Sequence, residues 1–126
     1  EPVEDKGQMI RIVLESLAFN YRWVVEKLEE ITGEELEVIH IVGGGIKNKL
    51  LCQLTADAAG REVVAGPAEA TASGNVLAQA MATGQVESLS EARKMVGDSF
   101  DMFRYEPHTL EMAGEFYEKF LDIFTP

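Results

Sequence analysis

Ile39-His40-Ile41-Val42-Gly43-Gly44-Gly45-Ile46-Lys47-Asn48 runs from β-branched residues into three consecutive glycines and on to the start of a helical pattern. Residues 36–42 are short, apolar and bounded by glycines, which predicts a strand buried on both faces. A strand that ends in glycines before a helix is where α/β proteins bind ligands, because the backbone can approach a ligand where no Cβ intervenes. A tight strand-to-helix turn with no ligand has the same residues. A dinucleotide-binding fingerprint does not fit. Gly43-x-Gly45 begins G-x-G-x-x-G, but the third position is Asn48, and no acidic residue ends the next run, Val63-Val64-Ala65-Gly66.

Upstream, Ile10, Leu14, Leu17, Tyr21, Val24, Leu28 and Ile31 alternate steps of four and three, predicting a helix over residues 6–32 whose stripe packs on a sheet. Asp5 with Gln8 opens it and Gly33 closes it. Downstream, a helix over 48–59 turns Leu50, Leu51, Leu54 and Ala58 inward, a strand covers 62–65, and Gly66-Pro67 precedes a helix over 70–83. Strand-helix-strand-helix order predicts an α/β fold with parallel strands covered by helices. Ser88-Leu89-Ser90-Glu91 caps a helix ending near Gly97, residues 100–105 are extended, and a last helix begins around Pro107. Its Phe116, Tyr117, Phe120 and Phe124 dock on the body of the domain. The whole chain is expected to form a single domain with a helical C-terminal tail.

The net charge of −11 over 126 residues opposes polyanions, so neither nucleic acid nor an anionic membrane is an expected partner. No run approaches the roughly 20 apolar residues of a membrane span, and a cytoplasmic location is expected. Cys52 sits among leucines as a small core hydrophobe. His40 and His108 are too far apart in sequence to suggest a metal site.

Several separate motifs carry a family resemblance. Glu15-Ser16-Leu17-Ala18, Tyr21-Arg22-Trp23, Glu37 to Gly45, Asn48, Leu50 to Asp57, and Ala65-Gly66-Pro67-x-Glu69-Ala70-Thr71-x-x-Gly74-Asn75 occur in order. Together they resemble the C-terminal lobe of the FGGY carbohydrate kinases, most closely the rhamnulokinase branch, with the fuculokinase and xylulokinase branches as alternatives. The resemblance implies part of an actin-like ATPase (ribonuclease H-like) lobe, with ATP lying between two lobes. It also implies close backbone approach to the nucleotide at Gly44 and Gly45, and Asn48 beside the adenine. Lys49 stands where some members carry a second asparagine and is the neighbouring candidate for that contact. Glu69 caps or orients the following helix, and the small residues up to Gly74 allow close packing beneath the glycine turn.

The catalytic base, the Mg2+-holding acids and most sugar contacts of such kinases lie upstream of this stretch. No catalytic or metal-binding residue is therefore assigned here. Glu1-Pro2-Val3-Glu4-Asp5 reads as the loop before the long helix, so the chain is expected to be a C-terminal fragment of a longer enzyme. Its partners are then ATP or ADP, the missing N-terminal lobe and the sugar. On its own it is expected to be inactive and inclined to self-associate through an unpaired sheet edge. A non-catalytic nucleotide-binding or interaction module is the alternative. Gly45→Val is expected to block nucleotide binding and leave the fold largely intact.

Overall fold

A computed structural model describes residues 5–108 and 114–124. Helix α1 spans Lys6–Thr32, about 40 Å. The Asp5 carboxylate accepts the Gln8 N–H at 3.0 Å, and Gly33, at φ 72°, donates its N–H to the Glu29 carbonyl. Both ends therefore match the capping pattern of the sequence. The buried side does not match. Ala18 and Phe19 are buried, with Leu14 and Trp23 packed beside them, whereas Ile10, Leu17, Tyr21, Val24, Leu28 and Ile31 are 37% to 80% exposed. The helix is apolar on two sides, and the side that repeats most regularly is the open one.

Strands β1 (Val38–Ile41), β2 (Glu62–Ala65) and β3 (Phe103–Tyr105) form one sheet in that order. β1 and β2 are parallel, with Val38 opposite Glu62 and Ile41 opposite Ala65. β3 is antiparallel to β2, Ala65 lying opposite Phe103, so the sheet is mixed and not wholly parallel as expected. Among the described residues β1 is an edge strand, and its alternate residues Val38 and His40 are exposed, so it is not buried on both faces. Burial on both faces needs a packed layer over each face of the sheet; Ile39 and Ile41 pack against the Cys52 and Ala56 cluster, whereas among the described residues Val38 and His40 are left exposed on the other face.

Helix α2 (Lys49–Ala59) is the centre of the packing. Cys52 and Ala56 join Val63 and Ala65 of the sheet in one cluster, against which Ile39, Ile41, Ile46 and Tyr105 pack. Leu54 and Ala58 join Ala18, Phe19 and Tyr117 in a second. Leu50, expected inward, is 49% exposed. The Cys52 thiol is buried, which raises its pKa by desolvation and suits the core role expected of it.

Helices α3 (Ala70–Ala82) and α4 (Leu89–Ser99) follow. Ser88 Oγ accepts the Glu91 N–H at 3.1 Å, as the capping box predicts. The final helix, α5, spans Glu115–Phe124. Pro107 and His108 are irregular, so the helix does not start there; residues 109–113 lie outside the described residues. Tyr117 and Phe120 each lie 5.7 Å from Phe19 by ring centroid, and Phe124 meets Trp23 edge-on at 5.4 Å. Phe116 stays exposed, so three of the four aromatics dock. The Tyr117 hydroxyl donates to Glu26 at 2.6 Å while the Arg22 guanidinium sits 3.8 Å above its ring. Burial first, then the Glu26 carboxylate, pushes the Tyr117 pKa up. No helix among the described residues is long and apolar enough to cross a membrane.

A fork of charged groups sets the entry to the sheet. Arg61 donates to both Glu29 oxygens, at 2.6 and 3.0 Å, and to the Leu36 carbonyl at 2.7 Å, while Glu29 accepts the Leu36 N–H at 2.7 Å. The end of α1, the approach to β1 and the approach to β2 are joined at one bidentate pair. Hydrogen bonds from Arg61, then from Leu36, hold the Glu29 carboxyl below its ordinary value of 4.5. A depressed carboxylate contributes stability that is present above its ordinary pKa and is lost as pH falls through the folded value. Arg61→Met should therefore melt several degrees lower than wild type at pH 7. That gap should close as thermal melts are repeated from pH 5 down to pH 3; a gap independent of pH would show that the pair does not set it.

Candidate functional site

The glycines after β1 begin a 3-10 turn, Gly43–Lys47, and the three have different tasks. Gly43 alone has a positive φ, 72°, and its N–H donates to the Pro67 carbonyl at 3.0 Å. Gly66 lies in the loop after β2 at φ 137° and donates its N–H to the Ile41 carbonyl at 2.9 Å. These two bonds tie together the loops at the carboxyl ends of both parallel strands, where ligands bind in open α/β sheets. A Cβ on Gly66 would lie 2.8 Å from both the Asp101 carbonyl oxygen and Met102 Sδ. Glycine is needed there for conformation and for space. The part Gly66 and Pro67 play in holding the turn was not foreseen from the sequence; a Gly-Pro pair read only as a helix boundary was the available signal.

Gly44 and Gly45 differ in what surrounds them. A Cβ on Gly44 would meet nothing within 4 Å, and the residue is exposed. A Cβ on Gly45 would lie 3.2 Å from Ile41 Cγ2. Gly45 thus lets the turn fold back on β1, whereas Gly44 keeps a backbone surface open to solvent. Gly45→Val, expected to leave the fold largely intact, would bring its Cβ against the half-buried Ile41 side chain, so a stability cost is added to that expectation.

Asn48 occupies the N-cap of α2, where its Oδ1 accepts the Leu51 N–H at 3.0 Å. With its oxygen committed, the exposed side chain retains the amide Nδ2 as a donor. Lys49 is the first residue of α2 and is exposed. Gly44, Gly45, Asn48 and Lys49 are therefore brought onto one short surface segment by the turn itself.

Other sequence-based assignments fare differently. Glu69 is at the N-cap of α3 but makes no side-chain capping bond; its carbonyl accepts from Ser73. A Cβ on Gly74 would meet nothing within 4 Å, so close packing does not account for that glycine. His40 is exposed on β1, and the backbone N–H of His108 donates to Asp57 at 2.8 Å. Among the described residues no three His, Cys, Asp or Glu side chains are grouped so as to hold a metal ion.

Thermal or denaturant unfolding of glycine variants separates these tasks. Gly44→Val should change stability by less than about 0.5 kcal/mol. Gly45→Val should cost about 1–3 kcal/mol through overpacking on Ile41, and Gly66→Ala on the order of 2–5 kcal/mol through clash and strain. Equal losses at Gly44 and Gly45 would contradict the division.

Comparison with known proteins adds to this geometry. A family model described as the FGGY family of carbohydrate kinases, C-terminal domain, matches residues 1–83. A rhamnulokinase of Bacteroides thetaiotaomicron is 43% identical over 111 residues, covering 87% of this chain and 23% of that protein. One from Halalkalibacterium halodurans is 48% identical over 99 residues, 79% of this chain and 21% of that protein. One from Bacillus subtilis is 41% identical over 107 residues, 85% and 22% respectively. The chain spans less than a quarter of the length of each of these relatives. With its glycine turn and the strands around it inside the matched region, this chain belongs to the FGGY family of carbohydrate kinases, as part of the C-terminal domain.

Proposed function

We propose that the chain is the nucleotide-side portion of an ATP-dependent sugar kinase, with L-rhamnulose as the acceptor and L-rhamnulose 1-phosphate and ADP as products. The single observation that carries this is Gly44: a residue at the mouth of two tied parallel strands whose missing Cβ leaves open space next to the backbone. The relatives' shared name supplies the sugar. In this reading residues 1–126 are one domain-sized part of an actin-like ATPase (ribonuclease H-like) lobe, and ATP lies between it and an N-terminal lobe outside this chain.

The turn suits a nucleotide in two respects. Backbone at Gly44 can come close to the α-phosphate and ribose without steric conflict, with Gly45 preserving the shape of the turn against Ile41. The Asn48 Nδ2 can donate to an adenine ring nitrogen while its oxygen holds the first turn of α2, and Lys49 flanks that contact. ATP, when bound, supplies the phosphoryl group that is transferred; Mg2+ is assigned mainly to residues outside this chain. What this chain contributes is orientation. With a net charge of −11, attraction for a polyphosphate has to come from local backbone dipoles and not from the protein's overall field. Phosphoryl transfer also needs a positioned base and charge clamps on the transferring group, so this portion by itself is expected to be inactive.

The test uses a full-length kinase containing this segment. Calorimetric titration should show Gly44→Val weakening ATP by at least about tenfold, roughly 1.4 kcal/mol, with L-rhamnulose affinity and Tm unchanged. Unaltered ATP affinity would remove the turn from the site. Phosphorylation of L-fuculose or D-xylulose in preference to L-rhamnulose would leave the kinase reading and overturn the sugar.

A further inference from the structure

We infer that the Glu69 carboxylate is a further nucleotide-binding group, which accepts hydrogen bonds from the 2′- and 3′-hydroxyls of the ribose. The inference rests on the proposed function, in which ATP lies at the glycine turn, and it adds the rim of the site that faces Asn48.

Glu69 stands at a capping position without capping. Asp5 and Ser88 turn their side chains onto the first turns of α1 and α4, whereas the Glu69 side chain takes no N–H of α3. Among the described residues its carboxylate has neither a hydrogen bond nor an ion pair, and the residue is exposed. Both oxygens are therefore free to accept.

Its place in the fold is at the glycine turn. α2 follows β1 and α3 follows β2, and the two strands are parallel, with Ile41 opposite Ala65. Asn48 and Glu69 therefore start their helices at the same end of the sheet, beyond two neighbouring strands, with the turn between them. The chain reaches Glu69 directly from its contact with that turn: the Pro67 carbonyl accepts the Gly43 N–H at 3.0 Å, and the Ala68 carbonyl lies 3.9 Å from where a Gly43 Cβ would be. There is room beside the side chain. Glu69, Ser73, Ser99 and Phe100 line a trough of about 410 Å3 between α3 and α4. Phe100 precedes Asp101, whose carbonyl lies over Gly66, so this end of the trough adjoins the mouth of the strands.

Chemistry selects the ribose. A carboxylate repels the phosphates, and the adenine ring nitrogens are acceptors, which suit the Asn48 amide and not a second acceptor. The vicinal hydroxyls are uncharged donors, and an ionised carboxylate takes two O–H bonds with charge assistance. In dinucleotide-binding folds an acidic residue does the same for the 2′-hydroxyl. Here β2 ends without an acid, and Glu69 is the first one after it. With the ribose held there and the base at Asn48, the α-phosphate is directed to the open backbone at Gly44.

The test is calorimetric titration of a full-length kinase containing this segment, without sugar, using ATP, 2′-deoxy-ATP and inosine triphosphate. Wild type should bind ATP at least about tenfold more tightly than 2′-deoxy-ATP. Glu69→Ala should weaken ATP more than 2′-deoxy-ATP and bring the ratio to within about twofold of one. Glu69→Gln, whose amide oxygen still accepts but carries no charge, should give a ratio between the two. Tm and the preference for ATP over inosine triphosphate should not change. If Glu69→Ala lowers Tm, the glutamine variant, which keeps the length of the side chain, is read in its place. Equal binding of ATP and 2′-deoxy-ATP by wild type overturns the inference, and so does a ratio that both variants leave intact. A lost preference over inosine triphosphate with the deoxy ratio kept also overturns it, placing the carboxylate at the base amine. Gly44→Val in the same protein separates the two readings. If it weakens ATP while Glu69→Ala leaves the ratio untouched, this inference alone falls; if it leaves ATP affinity unaltered, the turn leaves the site and the inference falls with it.

Discussion

Helix α2 is covered from two sides at once, and that double burial requires small side chains at the right intervals. Cys52, Thr55, Ala56 and Ala58 are fully buried, and together they let the sheet approach one side of the helix and α1 the other. Larger residues at these positions would separate the layers by ångströms, because protein interiors have almost no slack. Thr55 avoids an unpaired hydroxyl by donating to the Leu51 carbonyl at 2.7 Å. Arg22 adds a hydrogen bond from α1 to the Ala58 carbonyl at 3.2 Å, where the end of a helix leaves carbonyls without partners. With α2 fixed in this way, its first residues hold the glycine turn in place, and α5 can close over Phe19.

The candidate site follows from this arrangement. Asn48 ends the glycine turn and starts α2 in the same residue, so the orientation of the turn depends on that of the helix. From the other side the turn is held by the loop after β2 through the Gly43 and Pro67 bond. Gly66 can hold its loop in that position only because it lacks a side chain beneath Asp101 and Met102. The backbone around Gly44 is thereby fixed by the fold itself, which under the proposed function would lower the ordering cost of binding a nucleotide.

Charge is distributed in keeping with this economy. Acidic residues outnumber basic ones 22 to 11, and ion pairs among the described residues engage Arg11, Arg22, Lys27, Arg61, Arg104 and Lys119. Most of those pairs are exposed and weak. The Arg61 and Glu29 fork is different: both side chains are only about a fifth exposed, and it also binds the Leu36 backbone. It sits at the opposite end of the strands from the glycine turn, so one end of the sheet is locked by charge and the other is left as open backbone.

Local rules were legible in the sequence because they depend on neighbours a few residues apart. The Asp5 and Gly33 caps, the Ser88 box, the helix starting after Asn48 and the interior position of Cys52 all follow from spacing and side-chain chemistry. The family and the glycine turn were legible for the same reason, as ordered motifs. Partition between the two apolar sides of α1 was not, since periodicity reports that a stripe exists but not what lies opposite it. Nor was the antiparallel direction of β3, which depends on how the chain returns after α4. The different tasks of Gly43, Gly44 and Gly45 were equally hidden: one needs a left-handed backbone, one leaves space open and one yields to Ile41, a residue that only the folded chain brings against it.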